Sequence, residues 1–343
     1  MRSTAIRAKT SSVLLKVLLP AGLGLGVTAI MYCREFDLGA IIHFPFTATG
    51  LWSILFAILF LGMKDFSLAW RYRLLCEPAH LTWKSAFRTN YLCEFTSAIT
   101  PSAVGGSALI MAYLYREGVS AGRSTAVMIS TLFLDEMLFV TMCPLCLMVF
   151  SPGALFGLPT GLSSGLRYTF SIVYILIAIY AFMLYVALFR NPAIIRNLLS
   201  ALLRLPFLKR YEQRVSLFTQ DLEACSREMK SQSVWFWIKA FCITAWAWLS
   251  RYAVACALFF PFVGTSRQVL ILCRQFIFWV VMMITPTPGG SGVSEYLFTQ
   301  YFSDMSVAAG DILFITCFWR ILTYYVYLFV GFCILPTWMK KKK

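Results

Sequence analysis

Two stretches decide the fold: Ile99-Thr100-Pro101-Ser102-Ala103-Val104-Gly105-Gly106-Ser107 and Ile284-Thr285-Pro286-Thr287-Pro288-Gly289-Gly290-Ser291. Each interrupts an otherwise apolar run, the first over residues 81–115 and the second over residues 269–302. In both, Ile-Thr-Pro is followed within a few residues by Gly-Gly-Ser. Proline has no backbone N–H to donate, and paired glycines permit φ values that other residues avoid. Broken backbone at membrane depth is tolerated only where it is buried in protein or lines a cavity. Both stretches therefore read as the turns of helical hairpins that dip into a membrane and return.

The composition supplies the membrane. Of 343 residues, 59% are hydrophobic and 13% charged, more apolar surface than a soluble domain could keep from water. Runs long enough to cross a hydrocarbon core, which takes about 20 apolar residues, lie near Val13–Tyr32, Phe46–Met63, Ser124–Phe150, Leu166–Phe189, Trp235–Phe260 and Val307–Leu335. The first resembles a signal peptide only superficially. It is longer than a signal h-region and no small-x-small cleavage site follows it. The fold class expected is an all-α polytopic membrane protein of about six full spans plus two re-entrant helical hairpins. The net charge of +15 is placed just outside the spans, at Arg2 to Lys9, Lys64 to Arg88, Arg116 and Arg123, Arg190 to Lys230, and Lys340 to Lys343. That placement is the positive-inside pattern. It points to anionic lipid headgroups as partners and away from nucleic acid.

The same rule orients the chain, with both termini cytoplasmic. Lys64, Arg71, Arg73, Lys84 and Arg88 fall in a cytoplasmic connection, and the uncharged 151–165 falls outside. Residues 191–231 read as two cytoplasmic amphipathic helices broken at Pro206. The first hairpin then begins and ends at the cytoplasm and the second at the exterior. Within one membrane domain, 1–343, the chain divides into unit 13–150 and unit 166–335, the latter containing the insertion. The units are related by inversion, an arrangement used by alternating-access transporters, whose substrates bind where the repeats meet.

Ionisable residues inside a membrane are functional candidates by default. Asp135, Glu136, Arg251, Glu295 and Arg320 qualify. Asp135 lies 29 residues after Gly106 and Arg320 lies 30 after Gly290, and counted from the span starts at Ser124 and Val307 each sits about 18 Å in at 1.5 Å per residue. Internal pairing, for instance of Arg320 with Asp135 or Glu136, is the competing structural role. Helices starting after Gly106 and Gly290 would aim backbone N–H groups at an anion, with hydroxyls from Thr100, Ser107, Thr285 and Ser291 alongside. Glu295 could cap its helix or carry a proton. The expected substrate contacts are thus Thr100, Pro101, Gly105, Gly106, Ser107, Thr285, Pro286, Pro288, Gly289, Gly290, Ser291, Glu295 and Arg320. With two histidines in the chain and no cluster of ligands, no metal is expected, and no cofactor. Cys143 and Cys146 have redox-motif spacing, but inside an apolar run they read as packing residues.

Arg71-Tyr72-Arg73-Leu74-Leu75, the Thr100 to Gly106 run with its later Arg116-Glu117-Gly118, and Pro286-Thr287-Pro288-Gly289-Gly290-Ser291-Gly292-Val293-Ser294-Glu295 with Arg320 resemble the lysylphosphatidylglycerol synthase transmembrane, or flippase-like, family. The resemblance covers most of the chain from the second span onward. It implies a bacterial or archaeal cytoplasmic membrane protein handling phospholipids or polyprenyl-linked lipids. The family's synthases carry a soluble aminoacyl-transfer domain, whereas this chain stops at Lys343, so lysyl transfer is not expected. A basic residue common soon after the family's first Gly-Gly is replaced near that place by Met111. The leading expectation is a lipid translocase for an anionic phospholipid or polyprenyl-linked lipid. It lacks a nucleotide-binding loop. The rivals are a membrane-embedded enzyme using Asp135, Glu136 or Glu295 on a lipid-linked substrate, and a structural partner of a separate lipid-modifying enzyme. Association with a second copy of the chain stays open.

Overall fold

A computed structural model describes residues 48–100, 106, 109–157, 160–190 and 224–340. The described chain is helical. In order come α1 (Ala48–Leu75), a 3-10 turn (Glu77–Ala79), α2 (Trp83–Ile99), α3 (Ile110–Arg116), α4 (Ala121–Val149), α5 (Pro152–Phe156) and α6 (Thr160–Tyr185). They are followed by α7 (Val234–Val263), α8 (Gln268–Met282), α9 (Val293–Tyr301), α10 (Ala309–Arg320) and α11 (Val326–Lys340). A π turn, Ile321–Tyr325, joins α10 to α11 without a break in direction of the chain.

Five of these segments are long and apolar enough to cross a membrane: Ala48–Leu75, Ala121–Val149, Ser164–Arg190, Val234–Val263 and Ala309–Trp338. They match five of the six expected spans; the sixth, Val13–Tyr32, lies outside the described residues, as does most of the 191–231 insertion. Hydroxyl caps start four of the helices, α5 through Ser151, which accepts from the Ala154 amide at 3.3 Å, and three others. Thr82 accepts from the Ser85 amide, Ser120 from Arg123 and Ser233 from Phe236, each at 3.2 Å. Such caps satisfy amides that a helix N-terminus leaves orphaned.

The two interrupted runs are broken helices, each with a long and a short arm. The arms are α2 and α3 in the first, and α8 and α9 in the second. Their turns touch. The Gly289 amide donates to the Thr100 carbonyl at 3.1 Å, and the Tyr324 hydroxyl donates to the Ala98 carbonyl at 3.2 Å. Gly289 has φ +56°, and a Cβ there would meet the Tyr324 ring and come within 2.8 Å of the Ala98 carbonyl oxygen. Only glycine fits both demands.

One expectation fails. The second span does not stop at Met63, because α1 continues to Leu75, carrying Lys64 and Arg71 into the interior with exposures of 1% and 3%. Leu68, Leu74 and Leu75 bury one face of the segment while Phe66 and Trp70 face outward, and the three cations that read as a cytoplasmic loop are interspersed along it. The helix ends where Pro78 follows.

Burial separates the helices into centre and rim. The apolar window of α7 is 56% buried and packs along much of α1; that of α6 is 22% buried, with Ile172, Ile175, Ile179 and Phe182 turned outward. The apolar interior is itself divided. One cluster includes Leu61 of α1, Leu138 of α4, Tyr252 of α7, and much of α8 and α9. A second includes Ala69 of α1, Leu134 of α4, Ile243 of α7, and parts of α2 and α3. A small third one, Phe95, Ala98, Tyr324 and Leu328, forms the seam at the touching turns. Lys64 and Asp65 on α1, Asp135 and Glu136 on α4, and Arg251 on α7 fall between the first two clusters.

Candidate functional site

The polar layer between the clusters contains two connected sets of charges. Lys64 of α1 lies 2.6 Å from Glu94 of α2 and 3.2 Å from its neighbour Asp65. Arg251 of α7 reaches the same Glu94 oxygen at 3.2 Å. Asp65 is held further by Asn90, at 2.9 Å, and by the Tyr327 hydroxyl, at 3.0 Å. Nearby, Arg71 grips Asp135 of α4 through two nitrogens, at 2.5 and 3.2 Å, while the Trp248 indole donates to the same carboxylate at 2.8 Å. Buried charges persist only when paired and hydrogen-bonded, and every carboxylate in these sets is.

Two clefts flank this layer. The first is bordered by the Lys64–Glu94 and Arg71–Asp135 pairs and by Glu136. The second is bordered by Gly289, Gly290, Arg320 and Tyr324. Glu94, Ser97, Arg251 and Trp279 line both, so they form the shared wall. Arg251 stacks at 4.8 Å from the Trp279 ring centroid and 5.4 Å from that of Trp248. Its cationic face is thereby covered by aromatic rings, leaving its N–H edge for Glu94.

At the second broken helix, Arg320 donates from Nε to Glu295 at 2.7 Å and from Nη2 to the Gly289 carbonyl at 3.2 Å. The other Glu295 oxygen accepts from the Gly292 amide at 2.7 Å and from Ser294 Oγ at 2.8 Å. Glu295 therefore caps α9. The turn amides are spoken for as well: Gly289 donates to Thr100, Gly290 to Thr287 and Ser291 to Pro288. Ser291 Oγ is engaged by Pro288 and Tyr324. The expected open anion cradle at this helix start is filled, in this conformation, by the protein's own carboxylate and carbonyls.

The sequence-expected residues divide accordingly. Thr285, Gly289, Gly290 and Arg320 line the second cleft, Asp135 and Glu136 the first, and Arg251 both. Pro286, Pro288, Ser291 and Glu295 shape the turn behind it. Thr100 carries the contact between turns, and Gly106 packs against Ser97 and the Cys93 carbonyl. Pro101, Gly105 and Ser107 lie outside the described residues. The suggested pairing of Arg320 with Asp135 or Glu136 is not what forms. Arg320 of α10 pairs with Glu295 of the second broken helix, and Asp135 pairs with Arg71, because α1 stands beside α4 at that level. Sequence reading missed Lys64, Asp65 and Glu94. For Glu94 the signal existed, a lone carboxylate inside the apolar run from Tyr91 to Phe95. Cys143 and Cys146 are free thiols buried in the first apolar cluster.

These features define a class, polytopic helical membrane proteins whose broken helices meet beside buried, charge-lined clefts. Within it, the chain belongs to the lysylphosphatidylglycerol synthase TM region family, which it matches over residues 11–331. It is similar to a UPF0104 membrane protein of Archaeoglobus fulgidus, 26% identical over 309 residues that cover 84% of this chain and 90% of the relative.

Proposed function

We propose that the protein is a lipid translocase, which passes the headgroup of an anionic phospholipid or polyprenyl-linked lipid through its two clefts while the chains stay in the bilayer. The observation that carries this reading is the shared wall. Arg251 and Glu94 separate the two clefts, and opening that one ion pair would join them while freeing a guanidinium for a phosphate. Arginine matches phosphate geometry with its planar fork of donors. In the same reading the two broken helices are re-entrant hairpins of an inverted repeat, entering from opposite leaflets with both chain termini cytoplasmic. Their long arms support this: 17 and 15 residues extend about 26 and 23 Å at 1.5 Å per residue, short of a core of about 30 Å. The family name, which concerns the membrane region of a phospholipid-handling synthase, agrees with a lipid substrate.

The test is transbilayer movement in proteoliposomes containing labelled phosphatidylglycerol or a polyprenyl phosphate. The wild type is expected to accelerate movement over protein-free vesicles without changing the mass of the lipid, and Arg251→Met to slow it at least about tenfold, one lost charge-assisted contact. A change in lipid mass would establish an enzyme instead. Failure to move any lipid across a broad anionic panel overturns the proposal.

A further inference from the structure

The charges around the first cleft balance without Glu136. The cations Lys64, Arg71 and Arg251 face the carboxylates Asp65, Glu94 and Asp135, and each of these carboxylates has an ion-pair partner. Glu136 is the fourth carboxyl. It is 7% exposed, lines the cleft, makes no ion pair among the described residues, and its Oε2 has no hydrogen-bond partner. The remaining titratable groups lining the cleft are Tyr72 of α1, Cys93 of α2 and Tyr180 of α6, none a cation, and α3 and α8 contribute no titratable group. An ionised Glu136 would thus be an uncompensated buried charge, which proteins avoid by holding such a group neutral.

We infer that Glu136 is a proton-binding site whose occupancy is linked to that of the cleft, each favouring the other. This rests on the translocase reading above and specifies how that site is regulated. A phosphate entering the cleft adds one negative charge to a balanced set; an ionised Glu136 would add a second. Two like charges in a poorly screened cleft repel, so headgroup and proton each strengthen the binding of the other, by the same factor. The proton exchanges with water, with no bond in the lipid made or broken.

Infrared difference spectroscopy on the full chain in nanodiscs reads the proton directly, without transport. Wild type in phosphatidylcholine is expected to show a protonated-carboxyl band at about pH 7 that E136Q removes and E136D retains at altered frequency. Replacing half of the phosphatidylcholine with phosphatidylglycerol is expected to move the midpoint of that band upward by about one pH unit, a tenfold coupling. A neutral-pH band indifferent to E136Q overturns the site, and a midpoint that phosphatidylglycerol leaves in place overturns the linkage. The E136D spectrum keeps the test decisive should E136Q fold poorly. The outcome is separable from that of the parent reading. A lipid-dependent midpoint in a protein that moves no lipid keeps the proton site and sinks the translocase. Lipid movement that E136Q leaves equally sensitive to pH does the reverse.

Discussion

Arg320 and Glu295 show what a buried charge costs and what holds it in place. Glu295 is 1% exposed, and its two oxygens are consumed by Arg320, the Gly292 amide and Ser294. Removing only the cation leaves the carboxylate sealed in and unpaired, a loss of about 3–5 kcal/mol. Arg320→Ala is therefore expected to lower the thermal unfolding temperature in detergent sharply. The double change Glu295→Gln with Arg320→Met removes both charges and is expected to recover most of the loss. Equal destabilisation by the single and double variants would show that the pair is not what stabilises the turn. At this scale the sequence shows which charges lie in apolar surroundings and hides their partners. Asp135, Glu136, Arg251, Glu295 and Arg320 stand out because apolar runs make any charge conspicuous. Partnership depends on how neighbouring helices are rotated, which no spacing along one helix reveals, so Arg320 was matched to the wrong carboxylates. Lys64 hid for another reason. With Arg71 and Arg73 close behind it, it resembled the start of a loop.

Broken helices were the most legible elements, since proline and paired glycines act on the backbone directly and leave a local trace. Their meeting was an inference from symmetry, and the Gly289–Thr100 hydrogen bond gives it a physical form. That contact depends on a glycine that is both left-handed and sterically confined. Gly289→Ala adds strain on the order of 1–3 kcal/mol from its positive φ, and its new methyl would also push against the Tyr324 ring and the Ala98 carbonyl. Gly264 is the natural control. It too has positive φ, +59°, but a Cβ there meets nothing within 4 Å. Gly264→Ala is expected to lose stability through strain alone and to keep transport. Gly289→Ala is expected to lose more stability and to lose transport, because the turn must retreat from α2. Identical behaviour of the two variants in unfolding and in lipid movement would mean that the contact between turns has no special role. The filled helix start at α9 could not be read beforehand: whether a capping carboxylate or a ligand occupies such an end is decided by side-chain reach.

At the scale of the whole molecule, two apolar clusters sandwich a charged layer, and the broken helices approach that layer with their turns in contact. An inverted repeat predicts this arrangement in a bilayer. In the proposed inverted repeat each hairpin would belong to one leaflet, with its open end facing the water on its own side. Ala79 precedes the first long arm and Thr265 the second, and both are exposed. Ala79→Cys is therefore expected to react with a membrane-impermeant maleimide from the cytoplasmic face of sealed vesicles, and Thr265→Cys from the opposite face, with wild-type labelling as the baseline. The pair is diagnostic because the two sites stand at equivalent places in the two units, so any arrangement without inversion labels them alike. Labelling from one face would put both hairpins in the same leaflet and remove the basis for alternating access. In that event the clefts would still adjoin across Arg251 and Glu94, but they would open toward one side only. A headgroup could then bind and leave, with no route to the other leaflet.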